Sequence, residues 1–304
     1  MDGLTDHCDA GGAGLIGTHP DRRDELIRSL SAIAYGLRCD VVEMVYNAGS
    51  GHLGGSFSAA EIVATLYWHV MKIDPTRPNW EDRDRLVLSK GHCAPVAYAA
   101  LARRGYFDPA ILRTFRKLGS ILQGHPDFRM TPGVDMTSGS LGQGLSVALG
   151  MSLAARRAHR DHRVYVLLSD GEMQEGMVWE AAMAAHHHGA GNLTAIIDKN
   201  RLQVDGWVSE VMDIDPLTDK WRAFGWRVLV ADGHNIRSLL AAFETMRSVA
   251  DPREPCVIIC ETVKGKGVSW MEDVMEWHGG SLNDDLRNRA LAELRPMAID
   301  LPWA

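Results

Sequence analysis

The chain has no Cys-x-x-Cys pair, no apolar run of membrane-spanning length, no excess of basic charge and no internal repeat or low-complexity linker. Each absence removes a class of protein. The five cysteines (Cys8, Cys39, Cys93, Cys256 and Cys260) are odd in number and irregularly spaced, which points to a reduced, cytoplasmic setting. A formal charge of −7 argues against general nucleic-acid binding, which needs a basic face. Nothing apolar is long enough to cross a bilayer, so no membrane partner is expected. Residues 1–20, "MDGLTDHCDAGGAGLIGTHP", are acidic and Gly-rich, without the basic start or long apolar stretch of a secretory signal, and are read as a loose tail.

What is present is a large apolar fraction, 46% of 304 residues, enough for a substantial core. Leu26, Leu30, Ile33 and Leu37 recur at helical spacing, predicting a helix over 21–48 with Asp21 as cap. Ser58 with Glu61 three residues later predicts a second helix over 58–72. "RLVLSKGH" reads as a short strand and a turn, with a helix from about 94; a long Gly-rich loop over 124–144 leads into a helix from about 143 to 160. The second half alternates: strands at 164–170, 193–198, 226–231 and 255–263, with helices at 175–188, 217–224 and 235–249. Strands apolar throughout and separated by helices indicate an α/β fold, a parallel sheet covered by helices on both faces. Residues 21–304 are expected to form one domain, and its ligand is expected beyond the carboxyl ends of the strands.

The stretch "VYVLLSDGEMQEG", 164–176, runs from a buried strand straight into Asp170, Glu172 and Glu175. The next strand, "LTAIIDKN", ends at Asn200. Neighbouring parallel strands would thus present a carboxylate and an amide side by side, hard oxygen ligands suited to Mg2+ or Ca2+. Mg2+ takes few protein ligands and fills its remaining positions with phosphate and water. A backbone carbonyl just past Asn200 could add a third protein ligand. Gly171 lets the backbone approach a phosphate, and the adjoining helix N-terminus offers free N–H groups. Together these features describe a site for a metal diphosphate.

Asp-Gly with an Asn thirty residues on resembles the thiamine-diphosphate motif, and its flanks resemble transketolase. The matching stretches are "SGHLGGSFSAAEI", "DRLVLSKGHCAPVAYAALARRGYF", "LGSILQGHPD", "TSGSLGQGLSVALGMSLAAR", "LSDGEMQEGMVWEA", "NLTAIIDKNRLQVDG" and "TVKGKGVSWMEDVMEWHGGSL", in the family's order over about residues 24–285. Ser169 departs from the family, which usually has glycine before Asp-Gly. The resemblance implies thiamine diphosphate and Mg2+, with Ca2+ or Mn2+ as substitutes. The metal ligands would be Asp170, Asn200 and the carbonyl of Leu202. Gly171, Glu172, Asn200 and Lys264 would serve the diphosphate end of the coenzyme, and Gly139, Ser140 and Leu141 its aminopyrimidine. His92 and His278 would stand near the diphosphate and thiazolium, His52 and His125 along the substrate channel, and Glu175 in a network across a subunit interface. Neutral imidazoles suit the movement of hydroxyl protons in such a reaction.

The resemblance also implies a transketolase-type transferase that moves a two-carbon ketol unit from a ketose phosphate to an aldose phosphate. The family's activating acid, carried by a pyrimidine-binding domain, has no counterpart in this sequence. The chain is therefore expected to be the N-terminal subunit of a split enzyme, inactive alone. Its partner would carry the pyrimidine-binding and C-terminal domains, in a heterotetramer with two copies of each chain. An alternative is a related split enzyme acting on an unusual sugar or a biosynthetic acceptor; a non-catalytic regulatory subunit would have lost the motifs that are retained here. His186, His187 and His188 point in different directions on a helix and are expected to be a solvated or packed end rather than a metal site.

Overall fold

Strands with apolar residues at both parities need helices above and below, and the computed structural model of the chain has this arrangement. It describes residues 20–248 and 251–298. The tail read over residues 1–20 lies outside these, apart from Pro20. In chain order the elements are α1 (Pro20–Ala48), α2 (Gly54–Ser58), α3 (Ala60–Thr65), β1 (Arg85–Leu88), α4 (Ala94–Arg103), α5 (Gln143–Arg157), β2 (Val164–Ser169) and α6 (Gly176–His187). There follow β3 (Leu193–Lys199), α7 (Val208–Val211), α8 (Leu217–Ala223), β4 (Arg227–Asp232), α9 (Ile236–Arg247), β5 (Cys256–Glu261) and α10 (Asp284–Leu294). The strands form one all-parallel sheet in the order β1-β2-β3-β5-β4.

The two faces are filled by alternate residues of the same strands. Leu86, Leu88, Tyr165, Leu167, Ile196, Ile258 and Cys260 face a layer that includes α1, α3, α4, α9 and α10. Val87, Val164, Val166, Leu168, Ala195, Ile197, Val257 and Ile259 face one that includes α5, α6 and α8. Each such aliphatic side chain contributes about 1.5–3 kcal/mol by leaving water. β4 lies at an edge, and its Val230 is exposed.

Two helix starts differ from the sequence expectation. Pro20 begins α1, so Asp21 sits inside the first turn, where its charge faces the unpaired N–H groups, and is not the cap. The helix expected from Ser58 instead begins at Gly54, breaks after Ser58 and resumes at Ala60, ending in a π-turn over Leu66–Val70. The apparent capping pair serves tertiary contacts. Ser58 Oγ donates to Asp198 Oδ2 at 2.6 Å, and Glu61 receives the Arg38 guanidinium through bonds of 2.7 and 2.6 Å. The sequence reading did not include α10, although Asn283, which accepts from Leu286 N at 2.9 Å, is a capping residue.

Arg38 and Glu61 are buried and lock α1 to α3. His234 joins them. Val263 N–H donates to its Nε2 at 2.8 Å, so the neutral ring carries its proton on Nδ1, 3.0 Å from Glu61 Oε2. Burial alone would raise the Glu61 carboxyl. The Arg38 charge and the hydrogen bonds from His234 and Arg38 overcome this and hold it down at about 2. Removing one member of a buried pair strands the other charge, at a cost of roughly 3–5 kcal/mol. Glu61→Gln is accordingly expected to lose about that much unfolding free energy in urea at pH 7. The stability tied to this depressed pKa is present above the ordinary 4.5 and is lost as pH falls from there toward 2, so the gap between variant and wild type should narrow at pH 3. A difference below about 1 kcal/mol at pH 7 would contradict a buried charge pair.

Candidate active site

The carboxyl ends of four strands deliver the polar residues to one place. Ser169 pairs with Asp198 across β2 and β3, which brings the next residue of β2, Asp170, and the residue ending the β3 stretch, Asn200, to adjoining strand tips. β1 turns through Lys90 into His92, and β5 runs on to Thr262 and Lys264. A two-way bridge ties the loop carrying His52 to the loop carrying His278: Gly51 N donates to Gly280 O at 2.9 Å, and Gly280 N to Gly51 O at 2.8 Å. These elements enclose a cavity of about 320 Å3, whose wall includes His92, Gly139, Leu141, Asp170, Gly171, Glu175, Asn200, Leu202, Lys264 and His278.

Asp170 is 2% exposed and its hydrogen bonds come from the backbone: Gly171 N donates to Oδ1 at 2.8 Å and Arg201 N to Oδ2. Burial, and then the neighbouring charge of Asp198, push its carboxyl up to about 6. Asn200 is also buried, and its Oδ1 accepts from Leu202 N at 3.2 Å. The Leu202 carbonyl receives Lys264 Nζ at 2.7 Å. A buried carboxylate held only by backbone donors, next to an amide oxygen and a carbonyl, is a donor set that fits a hard divalent cation. A Cβ added at Gly171 would meet only Gln203 at ordinary contact distances of 3.4 and 3.5 Å. The chain's own packing does not call for glycine there; a closely approaching phosphate would. Gly142 is different: at φ 85°, a Cβ would come within 2.8 Å of Glu175 Cβ.

Four histidines continue the cavity outward. Ring centroids of His52 lie 5.4 Å from His92, 5.4 Å from His278 and 6.1 Å from His125, and those of His92 and His278 are 5.1 Å apart. An ammonium only donates, so Lys264 Nζ at 2.8 Å from His278 Nδ1 places the neutral ring's proton on Nε2. Arg116 sets the same tautomer in His52, approaching Nδ1 at 3.4 Å. Burial and then Arg116 lower His52 to about 4; burial and then Lys264 lower His278 to about 3. His92 is held far below its ordinary value by burial and Lys90, and His125 is lowered by burial and Arg116. Burial and then Lys90 bring Lys264 down to about 8.

Two expected contacts are not on the wall. Glu172 is fully buried and turned inward, accepting from Ser89 Oγ, from Gly142 N at 2.7 Å and from Ser169 N at 3.2 Å. Its carboxylate braces the Gly139–Gly142 loop from behind. Ser140 is exposed on the rim beside Gly139 and Leu141. Glu175 is exposed at the mouth. His186, His187 and His188 are exposed at the end of α6, and among the described residues no group of three His, Cys, Asp or Glu could hold a metal. The buried Cys93 thiol donates to Gly55 O at 3.0 Å and is pushed up to about 11 by burial, which makes it unreactive. Sequence reasoning missed Lys90, Asp198 and Arg116. The signal for Asp198 was present: an acid near the end of an otherwise apolar strand needs a buried partner. A second cavity, of about 370 Å3, borders α1, but its acids Asp40 and Glu43 are already neutralised by Arg103 and Arg287.

Residues 29–294 match the family described as transketolase, thiamine diphosphate binding domain. The 6-deoxy-6-sulfo-D-fructose transketolase subunit SqwG of Clostridium sp. is 46% identical over 253 residues, 83% of this chain and 91% of that one. An apulose-4-phosphate transketolase subunit from Phocaeicola vulgatus is 40% identical over 254 residues, 84% of this chain and 89% of that one. The crystal structure of transketolase from Campylobacter jejuni superposes with a TM-score of 0.83 at 31% identity, covering 91% of this chain but 44% of that one. The chain thus spans most of the two subunits and less than half of that transketolase.

The low imidazole pKa values lead to a direct test. As pH falls from 6.5, the unfolded chain takes up protons that folded His52 and His278 refuse until about 4 and 3, so these rings lower stability in that window. In the folded chain, NMR should find both rings neutral from pH 8 to pH 5. A midpoint near 6.5 for either ring would show that its burial is not as described.

Proposed function

The chain belongs to the transketolase family, matching its thiamine-diphosphate-binding domain, and from that premise we propose that it is the N-terminal subunit of a two-chain transketolase. The reaction is transfer of a two-carbon ketol unit from a ketose donor to an aldose acceptor. The observation that carries this reading is the single cavity that gathers Asp170, Asn200, the Leu202 carbonyl, Lys264, His92 and His278, with His52 and His125 beside these rings. Asp170, Asn200 and Leu202 would hold Mg2+, with Ca2+ or Mn2+ as substitutes. The Gly171 backbone and Lys264 would hold the diphosphate, and Gly139 and Leu141 the aminopyrimidine. When bound, thiamine diphosphate supplies the electron sink. The protein's part is to orient, to exclude water and to move protons. His92 and His278 bracket the inner end of the cavity, while His52 and His125 face the approach, where neutral rings can take protons from, or return them to, sugar hydroxyls.

A partner chain is supported by coverage and by surface. The relatives named as subunits are nearly coextensive with this chain, whereas the matched full-length transketolase is more than twice as long. Val204 is exposed on the cavity wall, and Val147 on α5, Met177 and Met183 on α6, Val211 at the end of α7 and Met212 after it are exposed as well. Exposed apolar side chains of this kind suit a pyrimidine-domain chain as partner, with Glu175 at the cavity mouth as its polar contact and two copies of each chain in the assembly. Cys39, Cys93, Cys256 and Cys260 are free thiols, which supports a reduced cytoplasmic setting. Among the described residues no helix is long and apolar enough to cross a membrane.

A second reading for the substrate is favoured by the relatives' names, which specify 6-deoxy-6-sulfo-D-fructose and apulose-4-phosphate. On this reading the donor or acceptor is an unusual anionic sugar rather than one of central metabolism. Rates with 6-deoxy-6-sulfo-D-fructose, apulose-4-phosphate and ordinary ketose phosphates would rank the two.

The experiment is to co-purify the chain with its partner and measure Mg2+-dependent thiamine diphosphate binding. Asp170→Ala should abolish that binding while the chain remains folded; retained affinity would refute the site. His125→Ala should keep the coenzyme bound yet lose about a hundredfold in turnover, and wild-type kinetics would remove it from the substrate channel.

A further inference from the structure

Asp198, near the end of β3, is fully buried and accepts from four side chains. Ser58 Oγ donates to its Oδ2 at 2.6 Å, Asn200 Nδ2 to the same oxygen at 3.2 Å, Lys90 Nζ to it as well, and Thr262 Oγ1 to Oδ1. Lys90 is also fully buried and makes its other bond to Gly55 O at 3.2 Å. Four segments that build the cavity, from α2, the β1 turn, β3 and the end of β5, therefore converge on one carboxylate.

This convergence settles the direction of the Asn200 amide. An ionised carboxylate can only accept, while an amide donates at one end and accepts at the other. Only the Asn200 nitrogen can face Asp198. Its other near neighbour on that side is Ser58 Oγ, at 3.5 Å. The oxygen is thereby turned away, toward Leu202 N and the cavity shared with Asp170. The two ends of an amide have nearly the same shape, so packing alone would not choose between them. An amide reversed here would present N–H groups, which cannot ligate a cation. A buried ion pair contributes little net stability against apolar replacements, so Lys90 and Asp198 are better explained by orientation than by strength.

We propose that Asp198, held in place by Lys90, is a positioning residue that aims the Asn200 oxygen at the divalent cation. The identity of that cation rests on the functional reading above; the amide's direction rests on the hydrogen bonds alone.

The test titrates Mg2+ by calorimetry, at saturating thiamine diphosphate, into the full chain co-purified with its partner. In Asp198→Asn/Lys90→Met neither charge is left unpaired and the direction of Asn200 is no longer dictated. Mg2+ affinity should fall by about tenfold to a hundredfold, the range for residues that orient metal ligands. In the metal-free chain, hydrogen exchange at the Asn200 side-chain nitrogen should speed up at least tenfold, which a loss confined to the cation would not produce. Asp198→Asn/Asn200→Asp keeps the net charge, lets the new amide donate and leaves a carboxylate oxygen for the cation; its affinity should lie within about threefold of wild type, and it decides the matter if the first variant does not fold. Wild-type affinity in the first variant, or a loss of more than tenfold in the second, overturns the proposal. Wild-type affinity in Asp170→Ala would instead overturn the site reading itself, so the two failures are separable.

Discussion

The parallel register of β2 against β3, with Ser169 opposite Asp198, decides where Asp170 and Asn200, the proposed ligands, stand. Side chains alternate between the two faces of a strand, so a slip of one residue would send Asn200 and Asp198 to the wrong side together. Both apolar layers oppose such a slip. Ile196 belongs to one and Ile197 to the other, and neither face has polar room to receive the wrong set. The core therefore holds the site in register, and the hydrogen bond from Asp170 N to Asp198 O, 3.2 Å, continues the ladder one step beyond the strand. Function here depends on burial of residues that never touch a ligand.

On that frame sits a particular balance of charge. Asp170 and Asp198 are buried close together, and each raises the other's cost of ionisation. Lys90 resolves this for Asp198, whose carboxyl is held low despite its burial. Asp170 is left with backbone donors only and a carboxyl pushed up to about 6. The asymmetry divides the labour: one acid is neutralised internally and serves geometry, and the other keeps an unmet demand for positive charge where the cavity opens. Farther out, burial first and then the charges of Arg116, Lys90 and Lys264 keep His52, His92 and His278 neutral, so these rings stand beside cations without adding to their charge.

Much of this was legible in the sequence because the relevant signals are local. Continuous apolar strands separated by helices pointed to the α/β layering, and Asp-Gly at one strand end with Asn at the next pointed to the neighbouring oxygen donors. What escaped depends on contacts distant in sequence. Ser58 and Glu61 mimic a capping box, yet their partners are Asp198 and Arg38, 140 and 23 residues away. Glu172 lies in the same Gly-rich turn as Asp170 and reads as a ligand contact, but Ser89, 83 residues earlier, draws it inward. Spacing along a chain does not reveal which side of a turn a carboxylate takes when donors elsewhere compete for it.

The buried polar groups also indicate what the chain needs from outside itself. A protein stabilised for its own sake would fill the end of β3 with apolar residues, since a buried ion pair such as Lys90–Asp198 contributes little net stability. It would also not hold a buried Asp170 by backbone donors alone, nor expose Val204 on the wall of a polar cavity. The two tensions share a direction, because each is relieved by something docking at the carboxyl end of the sheet. A cation would satisfy the carboxylate, and a partner surface would cover the exposed apolar side chains. Either alone leaves the other exposed: a partner without the cation would seal an uncompensated carboxylate deeper in low dielectric, and a cation without the partner would remain open to water. Coenzyme, metal and second chain are therefore expected to bind cooperatively, each lowering the cost of the next.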